Sequence, residues 1–409
     1  MTATNKPRAL KILAVHRYYW PDTAPYATIL RKIVGRWRNS GHNIEVLSSQ
    51  PSYKIGVSNQ KFRKVDHVDG SVVYRLNLPN ELGKPIRRIL NGLKLGGAIL
   101  YKAITRRYDI IMISTSPPIL GGMFAAIASK LTGARFIYHC MDIHPEIGRI
   151  SGEFSNVLIF KFLLRLDQWI CCQADPVVVL SSDMENSLRD RTKTKNFPIV
   201  TINNFSLSSF NTTSKTLPFV WPEAKLTMIF AGNIGRFQGL GIIIDAMKIL
   251  VERNDIHVVM MGDGAIKHRL QAEAEAFKLN ITFISHQALD VANRAIKYSD
   301  VGFVGLRTGI YRYAYPSKTM AYLQQGCPII VAVEAESELS KDVLNGEYGY
   351  VIPPGEGKTL ADLLVTLSDS KASIKKMQLN AICKTQTTYS EAHILDQWEN
   401  LISDEAAFK

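Results

Sequence analysis

Residues Tyr313–Pro328 read YAYPSKTMAYLQQGCP and combine a loop end, a short helix and a stop signal. They predict a helix over Ser317–Gln325, because proline suits the first helical turn and Gly326 ends the helix. The N–H groups of that turn have no partner within the helix. With Ser317 and Lys318 beside them, they form a predicted anion site that needs no metal. An ordinary loop–helix–strand unit of an α/β domain would give the same pattern.

The same alternation of strands and helices runs through the second half of the chain. Two apolar runs that read as strands end in glycine turns, Gly232-Asn233-Ile234-Gly235 and Gly262-Asp263-Gly264, and Arg236 follows the first turn. Glycine lets a backbone approach a ligand closely, and parallel sheets bind ligands beyond the carboxyl ends of their strands. The two turns and Lys318 therefore predict one shared phosphate- or sugar-bearing ligand. The pattern GxGxxG does not follow the first strand, which counts against a nicotinamide enzyme.

An earlier domain of the same kind is predicted before the Ser-, Thr-, Asn- and Pro-rich linker Asn203–Ala224. Its first strand, Leu10–Val15, runs into a loop whose aromatic and polar side chains lie on the predicted ligand side. These side chains are His16, Tyr18, Tyr19 and Asp22. They could equally be structural, with the aromatic rings packed on the first helix. The strand Arg135–His139 runs into Asp142 and His144, which are placed for catalysis or form a structural pair.

Length and composition limit the class of protein. With 409 residues, the chain is long enough for two domains of roughly 200 residues each. Five cysteines without a framework spacing indicate a reducing compartment. The N-terminus lacks the long apolar core of a signal peptide, and no run reaches about 18 apolar residues. We therefore expect a cytoplasmic protein.

Positive charge is concentrated at the start of the chain. The formal net charge is +13, and residues 1–107 hold 20 Lys and Arg against 5 Asp and Glu. Such a surface suits anionic lipid or a polyanionic substrate, whereas no nucleic-acid-binding motif accompanies it. The segment Ile86–Arg107 reads as a basic amphipathic helix. It could lie at a membrane surface, or pack on the core with a solvated face.

The second domain resembles bacterial retaining glycosyltransferases of family 4, which have the two-Rossmann GT-B fold. The matching segments are GNIGRFQGL (Gly232–Leu240), VVMMGDGAIKHRL (Val258–Leu270), SDVGFVGL (Ser299–Leu306), YPSKTMAYLQQGCPII (Tyr315–Ile330) and YGYVIPPGEG (Tyr348–Gly357). The first domain is similar in the loop after its first strand and in MDIHPE, residues 141–146. The second domain most resembles the subgroup that builds surface polysaccharides and O-antigens.

The resemblance implies an α/β fold with two Rossmann-like, doubly wound domains that face each other across a cleft. Residues 1–205 would form the acceptor-binding domain and residues 206–385 the nucleotide-sugar-binding domain. A C-terminal helix within residues 386–409 would pack back on the first domain. Glutamates that are usual in the family are replaced by Tyr313 and Ala321 in this sequence.

Functional residues also follow from the resemblance. The implied catalytic residues are Asp142, His144, Arg236 and Lys318. The implied donor-binding residues are Gly232, Asn233, Ile234, Gly235, Gly262, Asp263, Gly264, His286, Gln287, Tyr313, Tyr315, Pro316, Ser317 and Thr319. The implied acceptor-binding residues are His16, Tyr18, Tyr19 and Asp22. No metal and no other cofactor is expected, because the cations and N–H groups could neutralise the leaving diphosphate.

The implied activity is transfer of a hexosyl or N-acetylhexosaminyl group with retention of configuration. The donor would be a UDP-, GDP- or dTDP-sugar, and the acceptor a membrane-linked, polyprenyl-diphosphate saccharide in polysaccharide or O-antigen assembly. The protein would work at the inner face of the cytoplasmic membrane, held by its basic first domain. Two alternatives remain open: a sugar-nucleotide epimerase of the same architecture, and a catalytically degenerate binding protein.

Overall fold

The computed structural model describes residues 8–22, 24–52, 62–79, 81, 84–150, 152, 156–191, 196–207 and 216–403. The chain forms two compact units. The first unit comprises residues 1–203 and 392–409, and the second comprises residues 204–391. The second unit is therefore inserted, along the sequence, between two parts of the first.

The first unit is built on a mainly parallel sheet. Its strands are β1 (Lys11–Val15), β2 (Asn43–Ser49), β3 (Val65–Val68), β4 (Ser71–Leu76), β5 (Ile110–Ser114), β6 (Arg135–His139), β7 (Val177–Val179) and β8 (Ile199–Thr201). They lie in the order β3-β4-β2-β1-β5-β6-β7-β8, with β3 antiparallel to β4. The chain order reverses between β1 and β5. In such sheets the ligand crevice lies outside the carboxyl ends of the strands at this reversal.

Crossover helices connect these strands. They are α1 (Pro25–Asn39), α2 (Pro85–Arg106), α3 (Leu120–Thr132), α4 (Glu146–Ile150), α5 (Val157–Cys171) and α6 (Ser182–Arg191). Helix α2 packs closely on α3 because two of its three glycines face α3. A Cβ atom on Gly96 would overlap the ring of Phe124, and one on Gly92 would lie 2.9 Å from Leu120 Cδ1. The opposite face of α2 is left free of α3.

The second unit is built on a parallel sheet with the strand order of a dinucleotide-binding fold. Its strands are β9 (Leu226–Ala231), β10 (Ile256–Met261), β11 (Ile281–Ile284), β12 (Val301–Gly305), β13 (Ile329–Ala332) and β14 (Gly349–Ile352). They lie in the order β11-β10-β9-β12-β13-β14. Side chains such as Phe230, Met260 and Phe303 are fully buried, which agrees with apolar strands covered on both faces.

The helices of the second unit follow its strands in turn. They are α7 (Gly241–Ile249), α8 (Lys267–Ala276), α9 (Leu289–Tyr298), α10 (Lys318–Gln324), α11 (Glu338–Asn345), α12 (Gly357–Asp369) and α13 (Ala372–Thr387). A short 3₁₀ turn, Ile310–Arg312, precedes α10. The buried core combines the strands with α7 and α12.

The last helix, α14 (Glu391–Ser403), packs on α1 of the first unit. The indole N–H of Trp37 donates to the carbonyl oxygen of Trp398 at 3.0 Å, and the two rings meet edge to face. Both tryptophan side chains are buried. Arg36 pairs with Glu399 and, at 2.7 Å, with Asp396. Aromatic burial and an ion-pair network thus join the two ends of this unit.

The predicted α/β class with two Rossmann-like, doubly wound domains is confirmed. In the first unit, β3 and α4 were not predicted from the sequence. The helix at the opening stretch begins at Lys318, one residue later than predicted. Pro316 lies before the helix, because its carbonyl oxygen accepts a hydrogen bond from the N–H of Thr319 at 3.1 Å and closes a separate turn. None of the helices in the described ranges is long and apolar enough to cross a membrane.

Two histidines are buried inside the first unit beside Tyr26. His16 contacts Ser114 through Nδ1, and His139 Nδ1 lies 2.7 Å from the hydroxyl oxygen of Tyr26. Burial lowers the pKa of His139 from 6.5 to about 3. Burial, followed by the charges of His139 and Arg17, lowers the pKa of His16 to about 3 as well. Both side chains are therefore held neutral in the folded protein at neutral pH.

We predict that acid destabilises the first unit through these histidines. Because the folded-state pKa lies below that of the unfolded chain, stability is full above pH 6.5 and falls as the pH drops toward 3. Between pH 7.5 and pH 5, each histidine should cost about 2 kcal/mol of unfolding free energy. Urea unfolding at both pH values measures this loss. His139→Gln should reduce the loss, whereas substituting the exposed His268 with Gln should leave it unchanged.

Candidate active site

Two glycine turns meet at the carboxyl ends of β9 and β10. Gly232 has φ +147° and Gly262 has φ +140°, values that other residues rarely adopt. A Cβ atom on Gly262 would overlap the carbonyl oxygen of Gly232 and lie 2.9 Å from its carbonyl carbon. The N–H of Ile234 donates to the carbonyl oxygen of Asp263 at 3.0 Å and joins the turns. These glycines are therefore required for turn-on-turn packing, in addition to any approach of a ligand.

Helix α10 brings Lys318 to the first of these turns. A Cβ atom on Gly232 would lie 3.4 Å from Lys318 Cε, and the ammonium nitrogen lies 4.2 Å from the centre of the Phe230 ring. The residue is half-buried, and burial lowers the pKa of Lys318 to about 7. Within the described ranges, its ammonium group makes no hydrogen bond and no ion pair. A cation withdrawn from water without a counter-charge favours the binding of an anion.

Arg236 extends from the same turn as a second cation. Its side chain is exposed and forms no hydrogen bond or ion pair with any residue that the structure describes. The backbone N–H groups of Gly235 and Arg236 also donate no hydrogen bond within the described part of the chain. Guanidinium and N–H donors grouped in this way suit the oxygens of a phosphate group.

Asp263 holds two neighbouring loops together. Its carboxylate accepts a hydrogen bond from Lys267 at 2.8 Å and another from the backbone N–H of His286 at 3.1 Å. The hydrogen bond from Lys267 and the one from His286 lower the pKa of Asp263. The amide of Gln287 donates to the carbonyl oxygen of Ser285 at 3.1 Å. Asp263 thus fixes the segment that carries His286 and Gln287, two of the residues predicted to bind the donor.

Tyr315 points into the interior, which differs from its predicted role in donor binding. Its hydroxyl oxygen lies 3.0 Å from that of Tyr389, whose hydroxyl donates to Asp342 at 2.9 Å. The hydroxyl of Tyr348 donates to the same carboxylate at 2.7 Å. The tyrosine hydroxyl is therefore engaged in a buried network behind α10. A direct contact with the ligand could come only from the backbone of this residue.

The remaining residues predicted to bind the donor divide by exposure. The side chains of Ile234 and Thr319 are buried, whereas Asn233 and Ser317 are exposed. Tyr313 and Pro316 are half-buried. The hydroxyl oxygen of Thr319 finds no hydrogen-bond partner in the described part of the chain. The structure thus gathers the first glycine turn, Arg236 and Lys318 at one edge of the second unit.

In the first unit, Asp142 and His144 follow β6 as the sequence predicts. Burial raises the pKa of Asp142 to about 6. Burial, then the positive charges of Arg191 and Arg88, lower the pKa of His144 to about 4. The imidazole is therefore neutral at physiological pH and can both donate and accept a hydrogen bond.

Arg191, the last residue of α6, positions this segment and was not found by sequence reasoning. Its guanidinium donates to the carbonyl oxygen of His144 at 2.5 Å, to Asp167 at 2.6 Å, and to Glu146. Tyr138 also donates to Asp167, at 3.2 Å. An arginine at the end of a short polar helix gives no sequence signal of this role, since its partners come from three other elements.

The loop after β1 carries the four residues that were predicted to bind the acceptor. His16 is 4% exposed, Tyr19 is 1% exposed and Asp22 is 6% exposed. Asp22 accepts hydrogen bonds from the N–H of Ser52 at 3.2 Å, so its carboxylate fixes a neighbouring loop. These three side chains belong to the interior of the unit, which weighs against direct contact with an acceptor. Tyr18 is half-buried, with the Arg17 guanidinium 5.3 Å from its ring centre.

Comparison with known families matches both units. Residues 26–204 match the glycosyl transferase 4-like domain, and residues 225–370 match the glycosyl transferases group 1 domain. The chain is a glycosyltransferase that carries both of these domains. It is therefore a transferase of sugar groups, with the two domains in the order that its two units show.

Relatives of this glycosyltransferase come from bacteria. It is 25% identical over 307 residues to the probable glycosyltransferase WbjE of Pseudomonas aeruginosa, a match that covers 72% of this chain and 74% of WbjE. It is 22% identical over 351 residues to the putative colanic acid biosynthesis glycosyl transferase WcaI of Escherichia coli K12. That match covers 81% of this chain and 85% of WcaI.

A solved structure supports the fold of the glycosyltransferase. Anabaena HepE in complex with UDP-glucose is similar with a TM-score of 0.68 at 16% identity, over 96% of this chain and 99% of HepE. At this identity the likeness shows the fold alone. The predicted GT-B class is confirmed by it.

We predict that Gly262→Ala destabilises the second unit, because the new methyl group would overlap the carbonyl oxygen of Gly232. The loss should be about 3 kcal/mol or more, as for other forced backbone rearrangements. Thermal unfolding of the full chain measures it. Gly241→Ala is the matched control, because a Cβ atom there meets nothing within 4 Å. Equal stability of both variants would contradict the turn-packing account.

Proposed function

We propose that this glycosyltransferase moves a sugar from a nucleotide-sugar donor to a lipid-linked saccharide, with retention of configuration, in polysaccharide assembly. The observation that carries the proposal is Lys318, a cation without a protein counter-charge in the described ranges, set against the Gly232 turn. The complex of HepE with UDP-glucose supports a uridine nucleotide as the donor class. The name of WcaI, which refers to colanic acid biosynthesis, supports a polysaccharide as the product.

The leaving diphosphate decides which groups catalysis needs. Negative charge grows on its bridging oxygen as the bond to the sugar breaks, so fixed cations stabilise the transition state. In the proposal, Lys318 and Arg236 supply the positive charge, and the N–H groups of Gly235 and Arg236 donate hydrogen bonds to the phosphate oxygens. With these groups in place, the transfer would need no metal ion. Donor binding and turnover that persist in excess EDTA are the expected result.

Asp142 and His144 would contact hydroxyl groups of the transferred sugar. Neutral His144 offers one donor and one acceptor nitrogen, and Arg191 fixes the backbone from which it projects. Retention would follow from attack on the face that the diphosphate leaves, through an oxocarbenium-like state. The acceptor proton would then pass to a leaving phosphate oxygen.

We predict that Lys318→Met weakens the binding of UDP by about tenfold to a hundredfold, the range for loss of a hydrogen bond to a charged group. An anion should raise the pKa of Lys318 above its free value of about 7. Wild-type affinity should therefore be constant below pH 7 and fall as the pH rises above it. Calorimetric titration with UDP at pH 6.5 and pH 8.5 measures both effects.

Lys341→Met is the control for this prediction, since Lys341 is an exposed lysine of the same unit. It should bind UDP like the wild type and keep the pH dependence. Unchanged affinity in Lys318→Met would remove the proposed donor site. A pH dependence that survives in Lys318→Met would assign the proton to another group.

We also propose that α2 and α5 hold the first unit at an anionic membrane surface. Both helices expose large apolar side chains on the face that does not pack on the unit. On α2 these are Ile86, Ile89, Leu90, Leu93, Tyr101 and Ile104, and on α5 they are Val157, Leu158, Ile159 and Phe162. Arg87, Lys94, Lys161 and Arg165 lie among them, and α2 carries no acidic residue. Apolar insertion combined with basic charge is typical of interfacial helices.

We predict that the double substitution Ile89→Ser with Leu90→Ser lowers binding to phosphatidylglycerol vesicles by about a hundredfold, since each buried aliphatic side chain contributes about 1.5 kcal/mol or more. Cosedimentation at low salt measures the bound fraction. Leu379→Ser, an exposed leucine of the second unit, is the control and should bind like the wild type. Full recovery of the wild type in the supernatant would overturn the membrane proposal.

A further inference from the structure

The loop after β1 exposes Trp20, which is 40% accessible to solvent. Its indole lines a cavity of about 280 Å³ in the first unit, beside α1, the edge strand β3 and the neighbouring strand β4. Phe62 forms a second aromatic part of the wall. The loop that the sequence assigned to the acceptor thus presents a different side chain from those predicted.

Trp20 is held in place by a fixed cation. The guanidinium of Arg31 lies 4.3 Å from the centre of the indole ring, within the range of a cation–π contact. Two parallel hydrogen bonds, of 2.6 and 2.9 Å, join Arg31 to the carboxylate of Asp69. The hydrogen bond from Arg31 lowers the pKa of Asp69. The aromatic wall is therefore preorganised, which reduces the entropy lost when a ligand binds.

Arg75 forms the buried side of the cavity. It is 3% exposed, and its Nη2 atom donates to the carbonyl oxygen of Trp20 at 2.7 Å and to Asp66 at 3.2 Å. Its Nη1 atom finds no acceptor within the described ranges. The Arg75 side chain has no solvent-accessible surface, so its role is to hold the Trp20 carbonyl and the Asp66 carboxylate in place at the cavity wall.

Size and charge together decide the class of ligand. A volume of about 280 Å³ lies just below the range of about 300–1,000 Å³ that is usual for pockets of larger small molecules, so the cavity suits one ring. The two guanidinium groups of Arg31 and Arg75 are balanced by Asp69 and Asp66. A nucleotide or a free phosphate would add negative charge, and these four side chains leave no positive charge to pair with it. An aromatic wall with carboxylate and guanidinium groups suits a neutral ring that carries hydroxyl groups.

We propose that this cavity is a carbohydrate subsite, which holds one sugar residue of the acceptor against Trp20. This inference rests on the proposed function, because it names a contact of the saccharide that receives the new sugar. The ring would lie on the indole face. Its hydroxyl groups would donate to the carboxylates of Asp66 and Asp69.

Saturation-transfer NMR of the full-length protein tests the subsite. The probes are the methyl glycosides of glucose, galactose, mannose and N-acetylglucosamine at millimolar concentration, with UDP present to fill the donor site. We expect transfer to the ring protons of at least one glycoside. Trp20→Ala should lower that signal by about fivefold or more, because aromatic anchors carry much of the energy of such contacts. Trp20→Phe, which keeps an aromatic face, should give an intermediate signal.

Phe277→Ala is the matched control. Lys248 lies 4.3 Å from the centre of the Phe277 ring, the same distance as in the Arg31–Trp20 contact, but Phe277 lines no part of this cavity. Its signal should equal that of the wild type. Absence of transfer to all four glycosides, or an undiminished signal in Trp20→Ala, would overturn the subsite.

Titration with UDP separates the subsite from the proposed function. Trp20→Ala should bind UDP with wild-type affinity, since the two sites lie in different units. If the wild type does not bind UDP but does bind a glycoside, the proposed donor site is wrong and the carbohydrate subsite stands. Normal UDP binding without a Trp20-dependent glycoside signal would remove the subsite alone.

Discussion

The constraint on which the second unit depends is the position of the Lys318 charge. The ammonium group lies beside the Phe230 ring and the Gly232 turn, where burial lowers its pKa to about 7. It stays there because α10 begins at Lys318 and because the turn at Gly262 supports the turn at Gly232 from behind. Such a cation, with no carboxylate partner among the described residues, is stabilised by an anionic ligand more than by the protein.

Arg191 in the first unit is the opposite case. It is also buried, but two carboxylates and a carbonyl oxygen satisfy it, so its role is to hold structure rather than to receive a ligand. The segment that it holds carries Asp142 and His144, whose shifted pKa values result mainly from burial. A buried cation with protein acceptors therefore has a structural role, whereas one without them is a candidate binding residue. The residue type alone does not make this distinction.

Much of the fold was predictable because both sheets consist of short apolar strands that end in glycine or polar turns. The strand β3 escaped prediction because Val65–Val68 is an edge strand with polar residues and an exposed valine, which leaves no apolar run. The glycine turns, Arg236 and Lys318 could be named as candidates from sequence, since groups that suit a phosphate form local motifs. The direction of the side chains could not be predicted from sequence. His16, Tyr19 and Tyr315 turn inward because their partners lie far away in sequence. Arg75 and Arg191 also reach their hydrogen-bond partners only in the folded chain.

Docking of α14 on α1 has a consequence for biosynthesis. Trp37 comes early in the chain and its partner Trp398 comes near the end, with the whole second unit translated between them. The first unit cannot complete its core until Trp398 has emerged from the ribosome, after the whole second unit. The inserted unit, which is continuous in sequence, can fold first. A nascent chain would therefore leave the Trp37 ring without its Trp398 partner while the second unit is synthesised, a period in which a chaperone can bind it.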